Sequence, residues 1–320
     1  MSKYYIGVDG GGTKTQYALF DEKKNMLSTV KTEGTNHENM EGGIPAAAKI
    51  LMRGIEELLL MNALMQSNVT YVLMALAGMD HPYQEREMEK ALKKAGLKIP
   101  FSLYNDGYIV VKAGAAGKSG IGYNCGTGTC CNSIDDEGRL LQIGGFGQLS
   151  GDVGGGLWIA GETFQLVYNE ICLRGEKTLC TQKMAEKFDM PVTREGLLAL
   201  IPRYEKEEDG FIRDMIDVFF ESLAEGDVPA VRMSDRMARR GAAFIAGHIR
   251  SRTFYGREIE VILSGSMHTK LVSDEYIDQM RRYTEELTGR RCVFKRLTVP
   301  PVTGAINWML EKEEEEADRE

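Results

Sequence analysis

The residues best suited to chemistry stand in two glycine turns that repeat one another. The first is Ile6-Gly7-Val8-Asp9-Gly10-Gly11-Gly12-Thr13-Lys14-Thr15. The second is Ile121-Gly122-Tyr123-Asn124-Cys125-Gly126-Thr127-Gly128-Thr129, 115 positions on (121 − 6). Without Cβ atoms, Gly10, Gly11 and Gly12 let backbone N–H groups approach an anion closely. Thr13 and Lys14 add donors, and Asp9 can hold a metal ion through water. The bland alternative is a plain hairpin turn. A dinucleotide fingerprint is excluded, because it needs a helix after the glycines and residues 16–20 read as strand. Each turn leads into a second apolar stretch, 17–20 and 130–134, and then an acidic turn. Those turns are Asp21-Glu22-Lys23-Lys24-Asn25 and Asp135-Asp136-Glu137-Gly138, 114 apart (135 − 21). Two hairpins in matching contexts predict a duplicated domain whose halves grip one polyphosphate from opposite sides.

Three further segments carry candidate groups. Asn105-Asp106-Gly107 follows a predicted strand, where open α/β sheets place ligand chemistry. A carboxylate there can accept a hydroxyl proton during phosphoryl transfer, or it can merely cap the next helix. Residues 144–156 hold seven glycines in 13 positions, with Phe146, Gln148 and Asp152 among them, which suits a polar ligand such as a sugar or else a flexible loop. The third segment, 112–119, ends like a Walker loop, but Lys112 stands where the first glycine belongs. It reads as a helix end capped by Gly117. His81, His248 and His268 lack partners at metal-ligand spacing and are expected on the surface or in the core.

Positioning these groups requires strands at 4–9, 16–20 and 27–32. A helix follows Gly43, with Ile44, Ala48, Leu51, Ile55, Leu58 and Met61 on one face. Residues 71–76 form an uninterrupted apolar run, as in a buried central strand. Next come a charged helix from His81-Pro82 to about Gly96, a strand at 101–104 and a helix at 109–116. The second half starts again near 120. It carries a helical insertion at 157–255, including a long helix at 232–252. Strands at 259–263 and 292–295 and a helix from Thr303 complete it. An acidic, solvated tail is expected at 311–320.

The chain has 320 residues, enough for two domains with real cores. A net charge of −8 argues against nucleic acid, whose phosphates need clustered Lys and Arg. No apolar run approaches the roughly 20 residues of a membrane helix, and the start shows no apolar leader. Cys125, Cys130, Cys131, Cys172, Cys180 and Cys292 include no CxxC pair, so reduced thiols in a cytoplasmic protein are expected.

Together, the segments from residue 4 to 159 resemble the N-acetylglucosamine kinase family. Weaker echoes occur at Ala224-Glu225-Gly226-Asp227, Ser264-Gly265-Ser266 and Pro301-Val302-Thr303-Gly304-Ala305. That family shares the BadF/BadG/BcrA/BcrD ATPase grouping with activators of benzoyl-CoA reductase and 2-hydroxyacyl-CoA dehydratase. The implied fold is α/β: two duplicated ribonuclease H-like, actin-like ATPase domains with a cleft between them, the second bearing a large helical insertion. The expected limits are 1–117, with helix 303–320 packing back on it, and 118–302.

The resemblance implies ATP and Mg²⁺ as cofactors and an amino sugar as substrate, in a homodimer. It makes residues 9–15 the first phosphate loop and Gly126, Thr127, Gly128 and Thr129 the second, with Gly265 and Ser266 also on ATP. Asp9 would hold Mg²⁺ through water, and Asp106 would be the catalytic base. Asn36, Gly78, Gly145, Phe146, Gly147, Gln148 and Asp152 would contact the sugar. Two departures lie in that pocket. Phe146-Gly147-Gln148 replaces the usual Trp-Gly-His, and Val153 replaces a common glutamate after Asp152. The expected reaction phosphorylates N-acetylglucosamine at its 6-hydroxyl. N-acetylmuramic acid or glucosamine is the alternative substrate. An ATPase activator with an iron–sulfur cluster and no sugar substrate is the alternative of another class.

Overall fold

The computed structural model describes residues 3–269 and 273–318. Met1 and Ser2 at the start, and Arg319 and Glu320 in the acidic tail, lie outside the described residues. The first half runs β1 (Tyr4–Gly10), β2 (Lys14–Asp21), β3 (Met26–Glu33), α1 (Gly43–Met61), β4 (Val69–Leu76), α2 (Pro82–Lys94), β5 (Phe101–Tyr104) and α3 (Gly107–Gly114). The second opens with β6 (Gly120–Cys125), β7 (Thr129–Ile134) and β8 (Leu140–Gly144). Helices follow: α4 (Gly156–Leu173), α5 (Leu179–Phe188), α6 (Arg194–Leu198), α7 (Ile201–Glu205), α8 (Asp209–Ala224) and α9 (Val228–Ser251). The chain closes with β9 (Glu258–Ser264), α10 (Ser266–Thr269), α11 (Glu275–Thr288), β10 (Arg291–Arg296) and α12 (Thr303–Ala317).

The two five-stranded sheets share one order. The first is β3-β2-β1-β4-β5; the second, from its far edge, is β8-β7-β6-β9-β10. In the first sheet β1 and β2 are antiparallel, β2 and β3 are antiparallel, and β4 and β5 lie parallel to β1 and to each other. The carboxyl ends of β1, β3, β4 and β5 therefore share one edge.

Strand alternation explains the covering of this sheet. Ile6, Val8, Tyr17, Leu19, Val72 and Met74 pack with Leu51, Ile55, Leu58 of α1 and Met88 and Leu92 of α2. Tyr5, Ala18, Phe20, Leu73 and Ala75 face the other way, onto Ile109 and Val111 of α3 and Ala305, Ile306 and Trp308 of α12. With both faces covered, β4 is an unbroken apolar run from Tyr71 to Leu76. The helical insertion has its own core, including Val167, Met184, Leu197, Phe211 and Met215.

Two compact units result: 1–122 with 132–142 and 295–320, and 123–131 with 143–294. Ile134 and Leu140 join the core beneath α3 and α12, so residues 132–142 pack with the first unit.

Two expectations need correction, and two elements were not foreseen. The helix after Asp106 spans Gly107–Gly114, not 109–116, and its C-cap is extended Ala115 instead of Gly117. It starts early because Asn105 Oδ1 accepts from Gly107 N (3.0 Å). The described part of the acidic tail is largely helix, and although Glu314, Glu316 and Asp318 are exposed as expected, three of its glutamates are paired. Glu311 takes the nearly buried Lys112 Nζ at 2.7 Å, Glu313 accepts from Tyr5 Oη at 2.8 Å, and Glu315 pairs with Lys118 at 3.0 Å. β8 and α11 carry no strong sequence signal. α11 buries only Tyr276, Ile277, Met280 and Thr284 within a charged stretch. Among the described residues, no helix is long and apolar enough to cross a membrane.

Candidate active site

In the first unit, the turn after β1 is locked by its neighbours. Gly11 N donates to Lys14 O (3.0 Å), Thr35 N to Gly11 O (3.1 Å) and Ala77 N to Gly10 O (2.7 Å). The glycines serve different ends. A Cβ on Gly10 would lie 2.5 Å from both Leu76 Cδ2 and Thr35 Oγ1, whereas one on Gly12 would meet nothing within 4 Å. Gly12, Thr13 and Lys14 are exposed, so their donors are free to meet a phosphate. Gly34 has no place in the motif, yet a Cβ there would fall 2.0 Å from Gly12 O.

The carboxylates follow along the same sheet edge. Burial pushes the Asp9 carboxyl up to about 6, against the pull of Lys14. Burial pushes Asp106 up to about 7, with the charges of Asp9 and Asp80 adding to it and the N–H groups of Asp106 and Gly107 opposing it. Asp106 stands at the N-cap of α3, but its side chain makes no capping hydrogen bond. Asn105 does that work, which leaves the Asp106 carboxylate for chemistry. A carboxylate balanced near neutrality suits a general base.

At the ends of β3 and β4, Asn36 Oδ1 accepts from Glu38 N (3.0 Å). Gly78 sits beside it at φ +80°, where a Cβ would approach Asn36 Oδ1 to 2.6 Å. The first unit thus gathers Asp9, Gly10, Gly11, Gly12, Asn36, Gly78 and Asp106 on the carboxyl edge of one sheet, where such sheets bind ligands.

In the second unit, Gly126 N donates to Gly128 O (2.9 Å) across the turn after β6. The start of α4 braces it: Gly156 N donates to Gly126 O (2.8 Å) and Leu157 N to Thr127 O (3.3 Å). Thr127 and Gly128 are exposed, and a Cβ on Gly126 or Gly128 would meet nothing within 4 Å. Among the described residues the buried Thr129 Oγ1 has no hydrogen-bond partner, where buried hydroxyls ordinarily have one. Gly265, at φ +85°, packs against this turn, since a Cβ there would lie 2.1 Å from Cys125 O. Ser266 follows it, exposed, at the start of α10.

The glycine-rich loop after β8 is organised by Asp152. Its Oδ2 accepts from Gly145 N and Gly147 N (both 2.9 Å), and its Oδ1 from Ser150 Oγ (2.7 Å). Three of the roughly four hydrogen bonds that a carboxylate can accept are thus made within the loop. Phe146 and Gln148 are exposed on the same loop. Arg240 on α9, which no motif marks, donates Nε to Gly151 O (2.8 Å) and a second nitrogen to Ser150 O.

Other candidates prove structural. Lys112 is bound to Glu311 and to Lys118 O (2.7 Å), so 112–119 cradles no phosphate. Asp227 caps α9 through Ala230 N (3.1 Å) and holds Thr178 Oγ1 (2.7 Å), which accounts for the echo at 224–227. His248 and His268 are buried core residues; burial pushes His248 down to about 4.

A profile of the BadF/BadG/BcrA/BcrD ATPase family matches residues 6–306. An N-acetyl-D-glucosamine kinase of Dictyostelium discoideum is 30% identical over 203 residues, which are 59% of this chain and 62% of that protein's length. An N-acetylmuramic acid/N-acetylglucosamine kinase of Clostridium acetobutylicum is 26% identical over 241 residues, 74% of this chain and 76% of that one. The solved structure of a candidate N-acetylglucosamine kinase from Chromobacterium violaceum superposes with a TM-score of 0.69 at 19% identity, covering 95% of this chain and 98% of that one. This likeness shows the fold: the duplicated α/β, actin-like ATPase fold of sugar kinases.

Proposed function

Because the chain belongs to the BadF/BadG/BcrA/BcrD ATPase family, we propose that it is an ATP-dependent amino-sugar kinase. The preferred reaction moves the γ-phosphoryl group of ATP to the 6-hydroxyl of N-acetylglucosamine. The observation that carries this reading is Asp106: a carboxylate pushed up to about 7, relieved of helix capping, on the ligand-binding edge of its sheet. Asp106 removes the hydroxyl proton as the sugar oxygen attacks the γ-phosphorus, and the bond to the β–γ bridging oxygen breaks to release ADP. Thr13, Lys14 and the backbone of Gly10, Gly11 and Gly12 serve the phosphates, as do Gly126, Thr127, Gly128, Thr129, Gly265 and Ser266. Asn36, Gly78, Gly145, Phe146, Gly147, Gln148 and Asp152 serve the sugar.

The residues fit Mg²⁺ held through water. Asp9 offers one carboxylate, and among the described residues no three His, Cys, Asp or Glu side chains converge to hold a metal ion directly. When bound, Mg²⁺ supplies neutralisation of phosphate charge. The reading includes a homodimer in the cytoplasm, without nucleic-acid or membrane partners.

The test is ADP release against a panel of amino sugars and hexoses. Turnover that depends on an N-acetylated amino sugar is expected. ATP hydrolysis indifferent to every sugar sinks the kinase reading.

A further inference from the structure

A partly buried polar network in the first unit runs from the sugar turn to the base through Asp80, so far named only as a charge near Asp106. Gln84, 1% exposed, takes Asp80 N (3.0 Å) and His81 N (2.8 Å) on its oxygen and donates to Glu38 Oε1 (3.0 Å). Asp80 Oδ1 accepts from Asn105 Nδ2 (2.9 Å) and from Gln142 Nε2 (2.8 Å). Asn105, 4% exposed, then takes Gly107 N and Asn132 Nδ2 on its Oδ1, both at 3.0 Å. The amide orientations are not free. Turning Gln84 over would set its NH₂ against two backbone N–H donors, and turning Asn105 would set its NH₂ against Gly107 N and the Asn132 amide and face its oxygen to a carboxylate. A network with these two buried amides so fixed rigidifies what it touches.

We propose that Asp80 is a positioning residue for phosphoryl transfer: it holds the Asn105 amide, and through it the start of α3 and the Asp106 carboxylate. Asp80 is bound to both neighbouring segments. Its backbone N–H is fixed by Gln84, which also grips Glu38 beside Asn36. Its side chain grips the residue preceding the base. The turn at 77–80 therefore ties the sugar-binding end of β3 to the base at the end of β5. Base placement matters steeply, since an error of about 1 Å can cost roughly 100-fold in rate. Asp80 itself takes no proton in this scheme.

The kinetic part rests on the kinase reading; the structural part does not. The test compares Asp80→Ala with Asp80→Asn, which keeps an oxygen for both amide donors. Asp80→Ala should lose roughly 30- to 100-fold in kcat with the KM for ATP unchanged, and Asp80→Asn should stay within about threefold of wild type. Hydrogen exchange across residues 103–111 should quicken by about tenfold in Asp80→Ala and stay unchanged in Asp80→Asn. Wild-type kcat or wild-type exchange in Asp80→Ala overturns the proposal. So does equal damage by both substitutions, which would mean that the charge itself acts on the reactants. Should Asp80→Ala not fold, Asn105→Ala cuts the same link and must give the same loss of kcat; wild-type turnover in it overturns the proposal. If the wild-type protein shows no sugar-dependent turnover, the kinase reading has failed, and the exchange measurement alone decides whether Asp80 holds α3.

Discussion

Asp106 carries opposite obligations in folding and in catalysis. Its carboxyl is raised from 3.8 to about 7, first by burial and then by Asp9 and Asp80. A group whose folded value lies above its unfolded value stabilises the fold below the unfolded value and loses that contribution as pH rises through the folded one. The ionised Asp106 needed for catalysis therefore costs stability above about pH 7. Asp106→Asn should lower kcat by roughly 10²–10⁴. The same substitution should stabilise the protein by on the order of 1–3 kcal/mol at pH 8 and by little at pH 4. Wild-type kcat/KM, which reports the free protein, should rise with pH through about 7. Thermal melts at the two pH values and a kcat/KM profile check this; an Asn variant less stable than wild type at pH 8 would contradict it. Val153 is the second residue of interest. A pocket lacking one carboxylate should tolerate a substrate that carries its own, so N-acetylmuramic acid should be turned over beside N-acetylglucosamine, and cationic glucosamine poorly. Val153→Glu should cut kcat/KM for N-acetylmuramic acid about 3- to 10-fold more than for N-acetylglucosamine, less so at high salt. Equal effects on both sugars would defeat the electrostatic account. At this scale Asp9 and Asp106 stood out as candidates because a polar residue at a strand end is conspicuous, whereas Asn36 was marked only by the family resemblance. Arg240 was not, since nothing distinguishes it from Arg236 and Arg239 until the fold brings Ser150 and Gly151 against it.

The glycine turns show what a motif leaves unsaid about its own glycines. None of Gly10, Gly11, Gly12, Gly126 and Gly128 has positive φ, so freedom from left-handed strain is not why glycine stands there. Gly10 is required by packing, whereas a side chain at Gly128 would meet no neighbour within 4 Å, so the proposed reason for glycine there is access of the nucleotide. Gly128→Val should fold with nearly wild-type stability and lose ATP binding, because its side chain occupies the space the phosphate needs. Gly10→Val should instead destabilise the fold, since Leu76 and Thr35 already stand at contact. Calorimetric titration and thermal melts separate the two; unchanged ATP affinity in Gly128→Val would exclude the second turn from nucleotide binding. A similar contrast holds for α12. Lys112 and Glu311 have side chains only 3% and 17% exposed, whereas Lys118 and Glu315 are 59% and 44% exposed. Glu311→Gln leaves a buried charge unmatched and should cost about 3 kcal/mol. Lys118→Ala should leave the melting temperature nearly unchanged. Equal melting temperatures for the two variants would show the buried pair to be dispensable. An acidic run looked solvated in sequence because nothing local marks a lysine 199 residues away as its partner.

Duplication was the most legible property of the whole molecule, and it extends to atoms. Asp21 Oδ1 accepts from Lys23 N and Asn25 N, both at 2.9 Å, and Asp135 Oδ1 accepts from Glu137 N (3.1 Å) and Arg139 N (2.8 Å). Lys24 at φ 66° answers Gly138 at φ 73°, and Gly78 after β4 answers Gly265 after β9 at φ 80° and 85°. Each pair occupies the same place in the shared strand order, so two chain segments obey one set of turn rules. What duplication does not specify is reaction class, and the alternative expected from the resemblance is an ATPase activator with an iron–sulfur cluster. Such a cluster needs thiolates that reach the surface. Cys125, Cys131, Cys180 and Cys292 are buried, and Cys130 and Cys172 are half-buried. Burial pushes the Cys125 and Cys292 thiols up to about 12, away from the thiolate a cluster requires. Protein purified without oxygen should therefore carry no stoichiometric iron and no absorbance near 400 nm, while releasing ADP in response to an amino sugar. Stoichiometric iron with sugar-independent ATP hydrolysis would move this chain to the activator branch and retire Asp106 as a base for sugar hydroxyls.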